Sequence, residues 1–269
     1  MISLVWAWLS DPAHWSGSDG ITARLAEHLT YTAMALLLGA LIAWPLGAWI
    51  GHTGRARALV SSANAARAVP SLGLLFAATL LLSPYLRGES AFLVPSLIVL
   101  VLLAIPPLLS GAYAGIEAVD PAARDAARGM GMTPMQVLLR VELPCALPLL
   151  LSGLRSAALQ VIGTATIAAY VSLGGLGAYL SEGLAIGDYP MVAGGAVLVA
   201  ALALTVDVAL ALASRYAVSP GLRPGARPGR PHPPAEESAG ADRAPAGFSA
   251  STDRRSTAPT DPLSETSRS

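Results

Sequence analysis

Five long apolar segments limit what this chain can fold into. They lie at 28–50, 59–83, 91–113, 146–171 and 190–213, and a helix needs about 20 residues to cross a bilayer. Backbone in lipid must satisfy its own hydrogen bonds, so the pattern predicts an all-α integral membrane bundle. Composition agrees, with 54% hydrophobic and only 13% charged residues, too few charges to cover a soluble domain of this length. Pro45, Pro70 and Pro95 fall inside expected spans, where neighbouring helices can satisfy the freed carbonyls. The second segment is the weakest, because Arg67 and Pro70 interrupt it.

Charge and cysteine content narrow the function classes. The formal net charge is zero, which gives no reason to expect nucleic acid as a partner. The lone cysteine, Cys145, has no companion for an internal disulfide or a metal site. His14, His28, His52 and His232 are scattered and lack the His-Glu-x-x-His spacing of a zinc site, so no metal or resident cofactor is expected. A nucleophilic serine paired with a membrane histidine is also missing from the pattern.

The two ends differ from the middle. Residues 1–27 form an N-terminal segment that does not read as a cleaved signal peptide, since it lacks a basic start and a small-x-small cleavage site. Trp6, Trp8 and Trp15 suit a position at the lipid headgroup boundary, or else a merely sticky leader. From about Val218, Pro, Gly, Ser, Thr and Arg dominate, and 218–269 reads as a disordered tail.

Arginine placement sets the expected orientation. Arg55 and Arg57 follow the first span, Arg124, Arg128 and Arg140 follow the third, and Arg215, Arg223, Arg227 and Arg230 follow the fifth. The opposite side carries only Arg24 and Arg87 beside several acids. An outside N-terminus, a cytoplasmic C-terminus and five spans fit together, leaving the tail and the 115–144 loop in the cytoplasm.

That loop carries the most specific pattern. Asp120-Pro121 starts a short helix, with Asp as the cap and Pro in the first turn. Gly129 and Gly131 allow a chain reversal, Thr133-Pro134 starts a second helix, and Leu143-Pro144 marks the start of span four. The stretch Asp125-Ala126-Ala127, then Gly131, then Val141-Glu142-Leu143-Pro144 resembles the cytoplasmic coupling loop of ABC-importer permeases. Further matches are Gly115-Ile116, Val119-Asp120-Pro121, Ala68-Val69-Pro70-Ser71-Leu72, Ile162-Gly163-Thr164-Ala165-Thr166 and Gly174-Gly175-Leu176-Gly177. Together they resemble the glycine betaine/carnitine/choline permease family over roughly residues 28 to 215. Asp125 and Val141 stand where the common pattern has Glu and Ile, and both keep charge or shape.

The resemblance implies a MetI-like five-helix permease domain at 28–217 in the cytoplasmic membrane. It implies a dimer with itself or a second permease, two separate ATPase subunits that bind the ATP, and a separate solute-binding protein. ATPase closure would pull the docked loop, with Asp125, Ala126, Ala127, Gly129, Gly131, Val141, Leu143 and Pro144 as its coupling residues. Asp125 would contact the ATPase or cap the loop helix. Gly174, Gly175 and Gly177 would shape the outward mouth or gate. By themselves those glycines also fit a flexible turn, and without a Lys-Ser/Thr end they do not make a phosphate loop.

Intramembrane charge is costly unless paired or wet, and Arg67, Arg155 and Asp207 are expected toward the cytoplasmic ends of their spans. Arg155 and Asp207 suit a structural pair or, alternatively, a solute contact. Tyr31, Trp44, Trp49, Phe76 and Tyr170 are dispersed, and a quaternary-ammonium cage needs several rings together. Solute selection is therefore expected mainly from the receptor. The function expected is translocation of a small osmoprotectant. An importer for another small solute such as an amino acid is the nearest alternative, and a secondary transporter is the alternative of a different class. A membrane enzyme stands third.

Overall fold

A computed structural model of the chain describes residues 2–217; the tail expected at 218–269 lies outside the described residues. Among those residues all regular structure is helical. In chain order the helices are α1 (Ile2–Ser10), α2 (Ile21–Thr53), α3 (Arg57–Ala65), α4 (Ser71–Leu82), α5 (Ser90–Glu117), α6 (Pro121–Gly129), α7 (Pro134–Val137), α8 (Leu143–Ala168), α9 (Ala178–Ile186) and α10 (Tyr189–Ala217). Four runs, Ile21–Thr53, Ser90–Glu117, Pro134–Val171 and Tyr189–Ala217, are long and apolar enough to cross a membrane. A fifth candidate is a broken pair, Arg57–Ala68 with Ser71–Tyr85, bent by 92°.

Helix α5 lies between α2 and α8 and forms the centre of the bundle. Small residues set both crossings. A Cβ on Gly111 would stand 2.8 Å from the Leu149 carbonyl, and one on Gly153 would stand 2.7 Å from the Pro107 carbonyl. On the other flank a Cβ on Gly47 would meet Ala112 at 2.7 Å. Helix association in lipid rests on such close approach, because lipid chains are as apolar as the side chains themselves. Ala35, Ala43, Leu100, Leu108, Ala157 and Val161 fill the main core between these helices.

Several expected boundaries move. The first span begins at Ile21, not 28, so residues placed in a leader belong to the helix. Span two is not one rod: Val69 is extended (φ −70°, ψ 129°), as the residue before a proline must be when the ring crowds its backbone. Span four and the second loop helix are continuous from Pro134 to Val171. Leu143-Pro144 does not break that run. A π-helical turn at Leu138–Glu142 precedes it, with Leu143 N–H bonded to the Leu138 carbonyl. The wide turn relieves the clash that the Pro144 ring would make with the carbonyl four residues back.

Trp8 does not simply face headgroups. Its ring lies over Gly194 of α10, where an added Cβ would come within 2.4 Å, and it stacks on His14 and meets Tyr179 edge-on. Trp6 remains exposed, and Trp15 donates from Nε1 to the Leu9 carbonyl (2.7 Å).

Candidate functional site: the 115–144 loop and the glycine turn at the opposite end

The loop between α5 and α8 is built by local rules. Asp120 accepts from Ala122 N–H (2.9 Å) with Pro121 in the first turn, which starts α6. Asp125 therefore does not cap the helix; its exposed carboxylate pairs with Arg128 at 3.3 Å. Ala126 is exposed, whereas Ala127 is buried. Gly129 is the last helical residue, so the reversal falls to Gly131 alone (φ +83°). There Gly131 N–H bonds to the Arg128 carbonyl (2.9 Å) and Met132 N–H to the Ala127 carbonyl (3.2 Å), the paired bonds of a Schellman ending. Thr133 and Gln136 then cap each other reciprocally at the start of α7. Val141 lies in the π turn, and Leu143 and Pro144 open α8.

Beneath this loop sits a carboxylate that the motif reading left unused. Glu142, only 1% exposed, accepts from His52 Nδ1 at 2.7 Å and stands 2.9 Å from Arg124 Nε. The Arg124 contact is close but poorly aligned for a hydrogen bond, so it is an ion pair. Arg124 also donates through Nη2 to the Ile116 carbonyl. One buried acid thus ties the last turn of α2, the end of α5, α6 and the start of α8. The sequence signal was an acid inside an apolar motif; its two partners, 18 and 90 positions away along the chain, were invisible there.

At the opposite end of the bundle the glycine run is braced. Gly174 and Gly175 take positive φ (+85° and +68°), and Gly175 N–H donates to Glu27 Oε2 at 3.0 Å. A Cβ on Gly177 would lie 2.2 Å from the Thr166 carbonyl, so no larger residue fits there. Arg24 gathers Asp19 (2.8 Å), Glu27 (3.5 Å) and Glu182 (3.6 Å) around the turn. Tyr179 donates its hydroxyl to the Asp19 carbonyl at 2.7 Å. Burial raises that phenol above its ordinary value, so it stays a neutral donor through physiological pH. Sequence reasoning used Arg24 only as a loop charge and did not single out Glu27 or Tyr179; Arg24 and Glu27 sit far from the glycines along the chain, whereas Tyr179 follows Gly177 by two positions.

Between the two ends, Arg155 of α8 grips the Asp207 carboxylate of α10 through Nε and Nη2. Arg155 lies midway along α8 rather than near its end. Arg67 Nη2 donates to Gln160 Oε1 at 2.8 Å. Trp44 and Trp49 line an open, largely apolar groove of about 990 Å³ with Met135 and Leu139, and no acid stands with them to form a cation cage. Among the described residues no three His, Cys, Asp or Glu side chains group as metal ligands.

Residues 35–224 match the family described as binding-protein-dependent transport system inner membrane component. The chain belongs to that family. Relatives of this permease include the choline transport system permease protein OpuBB of Bacillus subtilis, 34% identical over 73% of this chain and 88% of that protein. The glycine betaine/carnitine/choline permease protein OpuCB of the same organism is 32% identical over 74% and 89%. The osmoprotectant import permease protein OsmW of Salmonella typhimurium is 33% identical over 67% and 84%. In architecture the permease resembles a chain from inward-facing structures of the MetNI methionine ABC transporter, with a TM-score of 0.64, 22% identity and coverage of 78% of this chain and 100% of that one. That likeness speaks for the MetI-like helical fold alone. The permease is a multi-pass inner-membrane protein.

Proposed function

We propose that this permease is the translocating subunit of an ATP-driven importer for a small osmoprotectant of the glycine betaine, choline or carnitine kind. The solutes for which its relatives are named support that substrate class. The observation that carries the coupling role is the loop's construction. Its turns are rigidly capped, yet Met130, Met135 and Leu139 stand 73%, 62% and 54% exposed. A stiff projection with bare apolar tips suits insertion into a partner's groove rather than contact with water. In this reading α6 and α7 dock on a separate ATPase in the cytoplasm, the N-terminus lies outside, and the α3–α4 pair counts as the second of five spans. The permease pairs with itself or with a second permease, and a separate solute-binding protein delivers at the end bearing Gly174, Gly175 and Gly177. These glycines form the gate, and the Arg24 cluster steadies it.

The test is labelled betaine, choline and carnitine uptake by cells carrying the whole transporter, with active and catalytically dead ATPase. Uptake that needs ATPase activity is expected, and Gly131→Asp should abolish it while leaving the complex assembled, because the turn requires positive φ. Normal uptake by Gly131→Asp would overturn the coupling role. Uptake by this chain without ATPase would revive a secondary transporter.

A further inference from the structure

The break between α3 and α4 is exposed at every residue from Ala65 to Pro70, yet the helices on both sides are firmly seated. Val60 packs into the main core on one side and Leu75 on the other. Asn64 Nδ2 donates to Ser110 Oγ of α5 at 3.0 Å, and that hydroxyl donates back to Asn64 Oδ1 at 3.2 Å. The bend of 92° is therefore held from both flanks. Non-helical backbone at membrane depth cannot face lipid; it lies within protein or along water.

The residue at the break strengthens the case for water. Arg67 is exposed, and its guanidinium donates to a neutral amide, Gln160. Among the described residues no carboxylate reaches its guanidinium, whereas Arg155 is neutralised by Asp207. A guanidinium inside a span without a counter-ion is costly unless water or an anionic ligand meets it. The facing side of α8 also carries polar side chains, with Ser152 and Ser156 exposed in line with Gln160, and such a stripe does not suit lipid.

We propose that the α3–α4 break lines the solute path and that Arg67, steadied by Gln160, binds the carboxylate of the passing solute. The proposal rests on the osmoprotectant reading and narrows it. A guanidinium presents a planar fork of donors that matches a carboxylate, and only one arm of Arg67 is engaged by Gln160. Glycine betaine and carnitine carry a carboxylate. Choline carries only a cation and a hydroxyl, and a free guanidinium repels that cation. Zwitterionic betaines are thus the transported class, and this position is a selectivity point in the membrane domain in addition to the receptor.

The test uses the complete transporter in proteoliposomes, comparing labelled betaine, carnitine and choline uptake by the parent, Arg67→Gln, Arg67→Lys and Gln160→Leu. Loss of a charge-assisted hydrogen bond predicts a fall of about 10-fold to 100-fold in betaine and carnitine uptake for Arg67→Gln. Arg67→Lys, which keeps the charge without the fork, should fall between the two. In a Cys145→Ser background, Ala68→Cys should react with a hydrophilic, membrane-impermeant thiol reagent and be protected by betaine, while Leu80→Cys, 73% exposed on an apolar helix, should stay unlabelled. Choline as the sole substrate, unchanged betaine uptake in Arg67→Gln, or an unreactive Ala68→Cys each overturns the inference and leaves the importer reading standing. An equal loss of all solutes that Arg67→Lys fails to restore assigns Arg67 to the fold and overturns it too. No uptake of any of the three by the intact parent defeats the osmoprotectant reading itself, and this inference with it.

Discussion

Replacing Glu142 by alanine strips the buried carboxylate that ties the loop between α5 and α8 to the bundle. The side chain is 1% exposed and faces His52 Nδ1 at 2.7 Å and Arg124 Nε at 2.9 Å. Removing one member of a buried charged cluster strands the others, at a typical cost of about 3–5 kcal/mol. Arg124 keeps its bond to the Ile116 carbonyl and some access to solvent, which places the loss toward about 3 kcal/mol. In a chain of about this size that corresponds to roughly 6–12 °C in melting temperature. Glu142→Gln keeps the volume and one hydrogen bond to His52, so its loss should be only about 1–2 kcal/mol.

The assay is the melting temperature of the purified complete transporter, followed by the fraction remaining monodisperse after heating. The double variant His52→Ala with Glu142→Ala should cost less than the sum of the two singles, because both remove the same contact. Hydrogen exchange should rise in α6 while α10, remote from the cluster, stays unchanged. A Glu142→Ala protein melting within a degree or so of the parent, with additive behaviour in the double variant, would refute the reasoning. The cluster would then be a crossing of side chains without energetic coupling.

Gly177→Ala places a methyl group against the Thr166 carbonyl and should destabilise by about 1–3 kcal/mol as overpacking; Gly163→Ala, with open space at its Cβ, is the matched control in the same melting assay. Thr133→Ala removes half of a reciprocal cap and should cost about 1 kcal/mol, read as faster exchange at the Gln136 amide. Arg155→Asp should lower the amount of folded protein in the membrane. Adding Asp207→Arg should restore it if the two side chains serve chiefly each other, and no restoration would give Arg155 a partner or role beyond Asp207.

Sequence periodicity and local chemistry reached a good part of this molecule. Apolar length alone carried the helical membrane class, because each helix satisfies its backbone within its own segment. The starts of α6 and α7 were legible at Asp120-Pro121 and Thr133-Pro134, since capping involves neighbours only a few residues apart. The reversal at 129–131 was legible as a turn, but assigning it to Gly131 alone required the φ angles. The break in span two was visible as Arg67 and Pro70, although its 92° bend was not. Leu143-Pro144 read as the start of span four and does open α8, although a π turn joins it without a break to the loop helix before it. A proline declares that the regular ladder is interrupted; the packing around it decides whether the chain breaks or widens.

What sequence by itself determined is therefore everything written over short distances: span length, caps, turns and the family motifs of the loop. Apart from the Arg155–Asp207 pair, which sequence already suggested, only the tertiary structure decided which distant groups meet. Glu142 finds His52 and Arg124, Gly175 finds Glu27, and Arg67 finds Gln160 rather than an acid. The physical reason is that nearly uniform apolar helices carry little record of their rotation about their own axes. Small-residue crossings such as Gly111 against Gly153 set that rotation, and with it which distant polar side chains can meet.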